Sequence, residues 1–490
     1  MTCNRRDFIQ VSAAAMAAPG ARAEAAGLTG ILEAWDPSLP FAAVSRPLRV
    51  QPVFMYRIAQ RRERASWKSW GAILSEEAAR QEMARIEGEL QLLAKAGGPP
   101  LEFLPVAPVS SPEAAARVHE REHDAILLYA CTGGGQLLQA CCSPRRDTVI
   151  FVRQRSGPVY YWYEALSSRY LTGRLHPDDV VVDDAGELLA KLRGLAGASN
   201  LRGTKIVALG GPMGKYSPDA PEVARSRYGI EIIETGYDAF GKRIQAALAD
   251  ARVTAAAGEC ARRYLRMPGT TMRTETSFVA NGFVLYALFK QLVAEHGAQA
   301  FTVKDCMSTI IPMSSTTACL TLGLMNDEGL PAFCESDFVI IPAGILLRYV
   351  SGLPVFLHNS SFPHKRMVTC AHCTAPRRMN GRDYFPAIIT THYESEYGAA
   401  PKVEIPPGQQ VTFIDPEYAT GRWLGFKGIV RGNPSYEICR SQQDVEILGK
   451  WELLKHEARD SHWVMAYGDC LAEAEYGARK VGVRWSGIAD

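Results

Sequence analysis

A short apolar run that ends on glycines and gives way to a helix-forming stretch occurs twice in this chain, and no other feature limits the fold as strongly. Ala125-Ile126-Leu127-Leu128-Tyr129-Ala130 leads into Thr132-Gly133-Gly134-Gly135, and Thr204-Lys205-Ile206-Val207-Ala208-Leu209 leads into Gly210-Gly211. Such a sequence is the βα turn of a doubly wound sheet, because glycine accepts tight backbone geometry that a Cβ obstructs. Residues 47–54 read as a further strand and 76–96 as a charged helix. Beyond about Gly352 the pattern changes to short alternating runs, Val403-Glu404-Ile405, Gln410-Val411-Thr412-Phe413-Ile414 and Gly428-Ile429-Val430-Arg431-Gly432. Pro-Pro-Gly and Gly-Asn-Pro turns separate them, and a last helical segment follows from Cys470 to Val481. The expected architecture is two Rossmann-like α/β domains, residues 46–170 and 171–350, followed by a β-rich, barrel-like C-terminal domain, 351–490.

Composition narrows the function classes. The chain is 47% hydrophobic and 22% charged, as expected of a folded multidomain protein. Its 54 basic and 52 acidic residues are too balanced to draw a polyanion, so nucleic acid is not an expected partner. No stretch holds about 20 uninterrupted apolar residues, the length of a bilayer-spanning helix. The 12 cysteines are scattered, several in apolar settings, which argues against a disulfide scaffold. Neither glycine turn has G-x-G-x-x-G spacing with an acid about 20 residues on, nor a Gly-Lys-Ser/Thr P-loop, which disfavours a nucleotide. A sugar-sized ligand suits the crevice at the C-terminal strand ends.

The segment Asn4-Arg5-Arg6-Asp7-Phe8-Ile9-Gln10, an Ala-rich run and Ala21-Arg22-Ala23 resemble, in that order, a twin-arginine export signal with its cleavage site. Residues 1–27 are therefore set apart from the fold. The resemblance implies a partner, the twin-arginine translocation machinery, and a periplasmic or extracellular location, with no membrane association once the signal is removed.

Four segments carry a second resemblance. Asn326–Asp337 contains Cys334-Glu335-Ser336-Asp337 and precedes an apolar helical stretch, and Ser351–Asn359 follows it. Thr369-Cys370-Ala371-His372-Cys373 and Ser461-His462-Trp463-Val464-Met465-Ala466-Tyr467-Gly468-Asp469 come later. In order and separation these are similar to the metal-site segments of the L-fucose isomerase and L-arabinose isomerase superfamily. The resemblance implies metal ligation by Glu335, Asn359, His372 and His462, and catalysis by Glu335, Asn359 and Asp337. It also implies sugar contacts from His358, His392 and Trp463, and a homo-oligomer. Asn359 departs from the pattern, standing where the family has its second acid.

Hard dications such as Mn²⁺, Mg²⁺ or Co²⁺ accept such oxygen and imidazole donors and leave positions for a substrate's adjacent oxygens. The expected function is metal-dependent aldose–ketose isomerisation of a free sugar, a deoxyhexose or pentose, through a cis-enediol. A carboxylate moves the proton between C1 and C2 and the metal stabilises the developing charge. Asn359 cannot take a proton. The alternatives are an exported, catalytically silent sugar-binding protein on the same fold, or an isomerase-derived fold serving another metal-assisted reaction. Asp337 shares a face with Glu335 if the segment is extended, and diverges from it by about 200° if helical. Other readings stay open: Cys370-x-x-Cys373 as a zinc or redox pair, His392 as structural or substrate-contacting, and Tyr160-Tyr161-Trp162-Tyr163 as core or sugar-stacking.

Overall fold

The fold is that of a computed structural model, which describes residues 19–41, 45–68, 71–143, 145–153, 175–417 and 421–488. The twin-arginine pair and the 160–163 aromatic cluster lie outside the described residues.

Two parallel, Rossmann-like sheets and a closed antiparallel barrel make up the architecture, as the strand grammar anticipates. The first sheet runs Leu101–Phe103, Leu48–Met55, Ala125–Ala130, Asp147–Val152, Val180–Val182, with Ala107–Val109 also on Leu48–Met55. Its last strand comes after residue 170, so this sheet reaches beyond the boundary expected from sequence. The second sheet is Ala332–Cys334, Ala300–Val303, Lys205–Leu209, Glu231–Thr235, all parallel. Its chain order reverses between Lys205–Leu209 and Ala300–Val303, which places a crevice at their C-terminal ends.

Six strands close the barrel: Val355–Ser360, Met367–His372, Ser441–Ile447, Arg422–Gly432, Gln410–Pro416 and His462–Tyr467, each antiparallel to its neighbours. Phe356, Phe413, Phe426, Trp463 and Met465 fill the interior, while Val355, Leu357, Val464 and Ala466 face the helix Ile341–Ser351 and the second sheet. This is period-2 alternation with both faces buried, because the barrel's outer wall is the floor of the α/β unit.

The helix Thr276–Glu295 is long and apolar enough to cross a membrane by length and composition, yet 67% of its apolar window is buried inside the protein. Leu28, Leu32 and Trp35 pack with it, so the C-terminal part of the helix Pro19–Glu33 and Trp35, two residues beyond, belong to the same core as residues 251–293.

Candidate functional site

Cys334 ends the strand Ala332–Cys334 at the C-terminal edge of the second sheet, and the next two residues turn sharply. Glu335 has φ +79° and Ser336 φ +57°, consecutive left-handed conformations at non-glycine residues. Each costs about 1–2 kcal/mol relative to right-handed backbone. The segment is therefore neither extended nor helical, and Asp337 turns away from Glu335. The turn is held by backbone bonds to the loop after Lys205–Leu209: Met213 N–H donates to Ser336 O and Phe338 N–H to Met213 O.

Asp337, wholly buried, accepts from Lys215 N–H at 2.9 Å and Val339 N–H at 3.1 Å through Oδ1. Its Oδ2 stands 2.8 Å from His462 Nδ1, and the other ring nitrogen, Nε2, is 3.3 Å from Lys215 Nζ. An ammonium only donates, so the lone pair on Nε2 faces Lys215 and the proton of the neutral ring sits on Nδ1, directed to Asp337. The result is a buried carboxylate–imidazole–ammonium chain joining the α/β unit to the barrel. Lys215 reaches it because Gly210, at φ +84°, and Gly214 carry the chain round a turn where a Cβ at 214 would stand 1.9 Å from Ser217 O.

Asn359 is the register partner of His462 on the adjoining strand, and of Ala371 on the other side. His372, at the end of its strand, is buried beside His462, His358, His392 and Lys215; burial first, then the neighbouring imidazoles and Lys215, push its pKa down to about 3. The structure thus brings Asp337 and Asn359 to His462 where the second sheet meets the barrel, with His372 nearby at its strand end, while Glu335 precedes Asp337 on the strained turn. Neither Glu335 nor Asn359 makes a side-chain hydrogen bond among the described residues.

Two of the three expected substrate contacts, His358 and Trp463, point elsewhere. His358 and Trp463 alternate with Asn359 and His462 along their strands, so both rings point into the barrel. His358 packs at 5.4 Å on Phe356 and 5.7 Å on Phe413, and Trp463 packs edge-on against Phe426 and donates to Asp460 O. Neither faces the second sheet. His392 stands with Cys373 and Cys439, their ligand atoms all within 4.8 Å of one another. Cys370, by contrast, packs in the barrel core, so the Cys370-x-x-Cys373 spacing makes no pair.

A divalent metal held as the sequence implies meets an obstacle. Both nitrogens of His462 are engaged, and a dication at Nε2 has to displace the Lys215 ammonium already there. With an amide at 359 in place of a carboxylate, the donors do not fit the expected ion. Lys215 went unnoticed in the sequence. Its one signal is its place, just past Gly210 and Gly214 on a βα turn at the sheet's reversal point.

No family model matches the chain, and no curated protein matches it. The solved structure of an ABC transporter solute-binding protein from Burkholderia multivorans is matched over 55% of this chain and 83% of that one, at 13% identity and a TM-score of 0.14. At that score the likeness carries no argument about fold or ligand.

Proposed function

We propose that the crevice at the reversal point of the second sheet takes a small polyhydroxylated carbonyl compound, a free sugar, and interconverts its aldose and ketose forms with Lys215 in the place a metal ion has in the isomerases the sequence resembles. The observation that carries this reading is the Lys215–His462–Asp337 chain, with Glu335 two residues before Asp337 and without a side-chain hydrogen bond among the described residues. Glu335 removes the proton from the carbon next to the carbonyl and returns it to the adjacent carbon. The Lys215 ammonium stabilises the negative charge that gathers on the carbonyl oxygen. Lys215 passes a proton between the two oxygens, and His462, kept in one tautomer by Asp337, accepts from the Lys215 ammonium and holds it in place. Atoms balance, since the reaction is a tautomerisation. The second reading, a sugar-binding protein without turnover, is favoured by Asn359, which removes the second acid.

Incubation with a panel of pentoses, hexoses and deoxysugars, with a chelator or with Mn²⁺, separates the readings. Chelator-resistant conversion, lost by about 10²–10⁴-fold in Glu335→Gln and in Lys215→Met, is the expected result. Conversion that requires Mn²⁺ and survives in Lys215→Met would sink the ammonium role. Sugar-induced thermal stabilisation with no conversion establishes the binding protein instead. We also propose export by the Arg5-Arg6 segment, tested by cell fractionation of a variant carrying Arg5→Lys and Arg6→Lys together; unchanged export of that variant would exclude the twin-arginine route.

A further inference from the structure

A second cluster of chemically competent side chains adjoins the first, on the side of His372 and Glu335. Cys373 follows the strand Met367–His372 and Cys439 precedes the strand Ser441–Ile447; His372 pairs with Ser441, so the antiparallel register brings the two thiols to the same strand ends. His392 follows the strand Ala387–Thr390, and Arg440 ties its loop down, donating from Nε to Thr391 O at 2.8 Å and standing 5.2 Å over the Tyr393 ring. The ring of His392 has Nδ1 3.5 Å from Ser395 Oγ, which leaves Nε2 for a ligand role. Cys319, the first residue of the helix Cys319–Asp327, packs against Cys373 in the same small sulfur cluster.

We infer that Cys373, His392 and Cys439 form a binding site for a thiophilic dication, Zn²⁺ above all, with the Cys319 thiol as fourth ligand. The donor atoms of the first three lie within 4.8 Å of one another. Tetrahedral zinc, with bonds of about 2.0–2.3 Å, holds its ligands about 3.5–3.8 Å apart, so a contraction of about 1 Å or less closes the site. Sulfur and imidazole select zinc over the hard cations expected from the sequence. Cys373, His392 and Cys319 are almost wholly buried and Cys439 is half-buried, which leaves an entry path on one side. Zinc takes cysteine as the thiolate and histidine as the neutral ring. Loading therefore releases thiol protons, and the bound dication neutralises two thiolates, with Arg440 close to offset a third. The site does not rest on the sugar reading, because its test reads metal binding and not turnover.

The test is direct. Protein purified in reductant and stripped with a chelator is titrated with Co²⁺, then Zn²⁺. About one Co²⁺ per chain is expected, with the thiolate-to-cobalt charge-transfer absorption of a tetrahedral site, displaced by Zn²⁺ with proton release. Cys439→Ser and His392→Gln are each expected to lose at least about 10-fold in affinity, whereas Cys370→Ala keeps it. A folded wild-type protein without that absorption overturns the proposal. So does a Cys370→Ala variant as impaired as Cys439→Ser, or a Cys373–Cys439 disulfide that forms in the presence of excess Zn²⁺.

Discussion

His358 and Asn359 are neighbours in sequence and opposites in environment. The His358 ring lies inside the barrel among aromatic side chains, its Nδ1 3.1 Å from Ser360 Oγ and its Nε2 buried without a partner. Burial pushes its pKa from 6.5 down to about 3. Between those values the unfolded chain binds a proton that the folded chain refuses, so the contribution of this residue to stability is intact above 6.5 and falls as pH drops toward about 3. The expected slope is about 1.4 kcal/mol per pH unit. Asp327, whose pKa burial raises to about 7, acts in the opposite sense, so the effect is read as a difference. His358→Phe is expected to gain stability relative to wild type as pH falls from 6.5, in urea titrations at several pH values; parallel curves would show that the ring is not buried neutral.

The element that places the site is the turn after Ala332–Cys334. Ser336 is wholly buried, left-handed, and its hydroxyl has no hydrogen-bond partner. Ser336→Gly relieves both costs and is expected to stabilise the protein by about 1 kcal/mol, less the extra freedom of glycine in the unfolded chain. A loss of stability would show that the left-handed backbone is not what the serine resists. The helices Ala185–Leu201 and Leu471–Lys480 meet at Gly194 and Gly477, where a Cβ on Gly194 would stand 2.7 Å from Glu473 O. Gly194→Ala is expected to cost about 1–3 kcal/mol by forcing backbones apart. Gly88→Ala, in the helix Glu76–Lys95 with nothing within 4 Å of the new Cβ, is expected to stabilise by about 0.5–1 kcal/mol. Equal effects of the two in denaturant melts would exclude the close helix contact.

At the scale of the molecule, the barrel interior, the helix Thr276–Glu295 and the helix Ala251–Leu265 share one continuous core, whereas the first sheet has two smaller cores of its own. Amides of Thr276–Glu295 and of His462–Tyr467 are expected to exchange most slowly, through global opening, and those of Leu48–Met55 faster, through opening of the first sheet alone. Hydrogen exchange followed by mass spectrometry reads this, and uniform protection across all three would indicate a single cooperative unit.

Local chemistry made much of this legible in the sequence. Apolar runs ending on glycine imply parallel strands, and alternating runs between proline–glycine turns imply antiparallel ones, because both patterns arise from residues near one another in the chain. The resemblance grouped Glu335, Asn359, His372 and His462, and the strand register sets Asn359 opposite His462. What the spacing could not carry was direction. The strand pleat sends His358 and Trp463 inward, the left-handed pair turns Asp337 onto His462, and a glycine turn over 120 residues away in the chain brings in Lys215. Cys373 and Cys439 are 66 positions apart and meet only because two antiparallel strands are in register. Sequence determined which elements form; tertiary structure alone decided which side chains face each other, since that depends on register and on the packing of one unit against another.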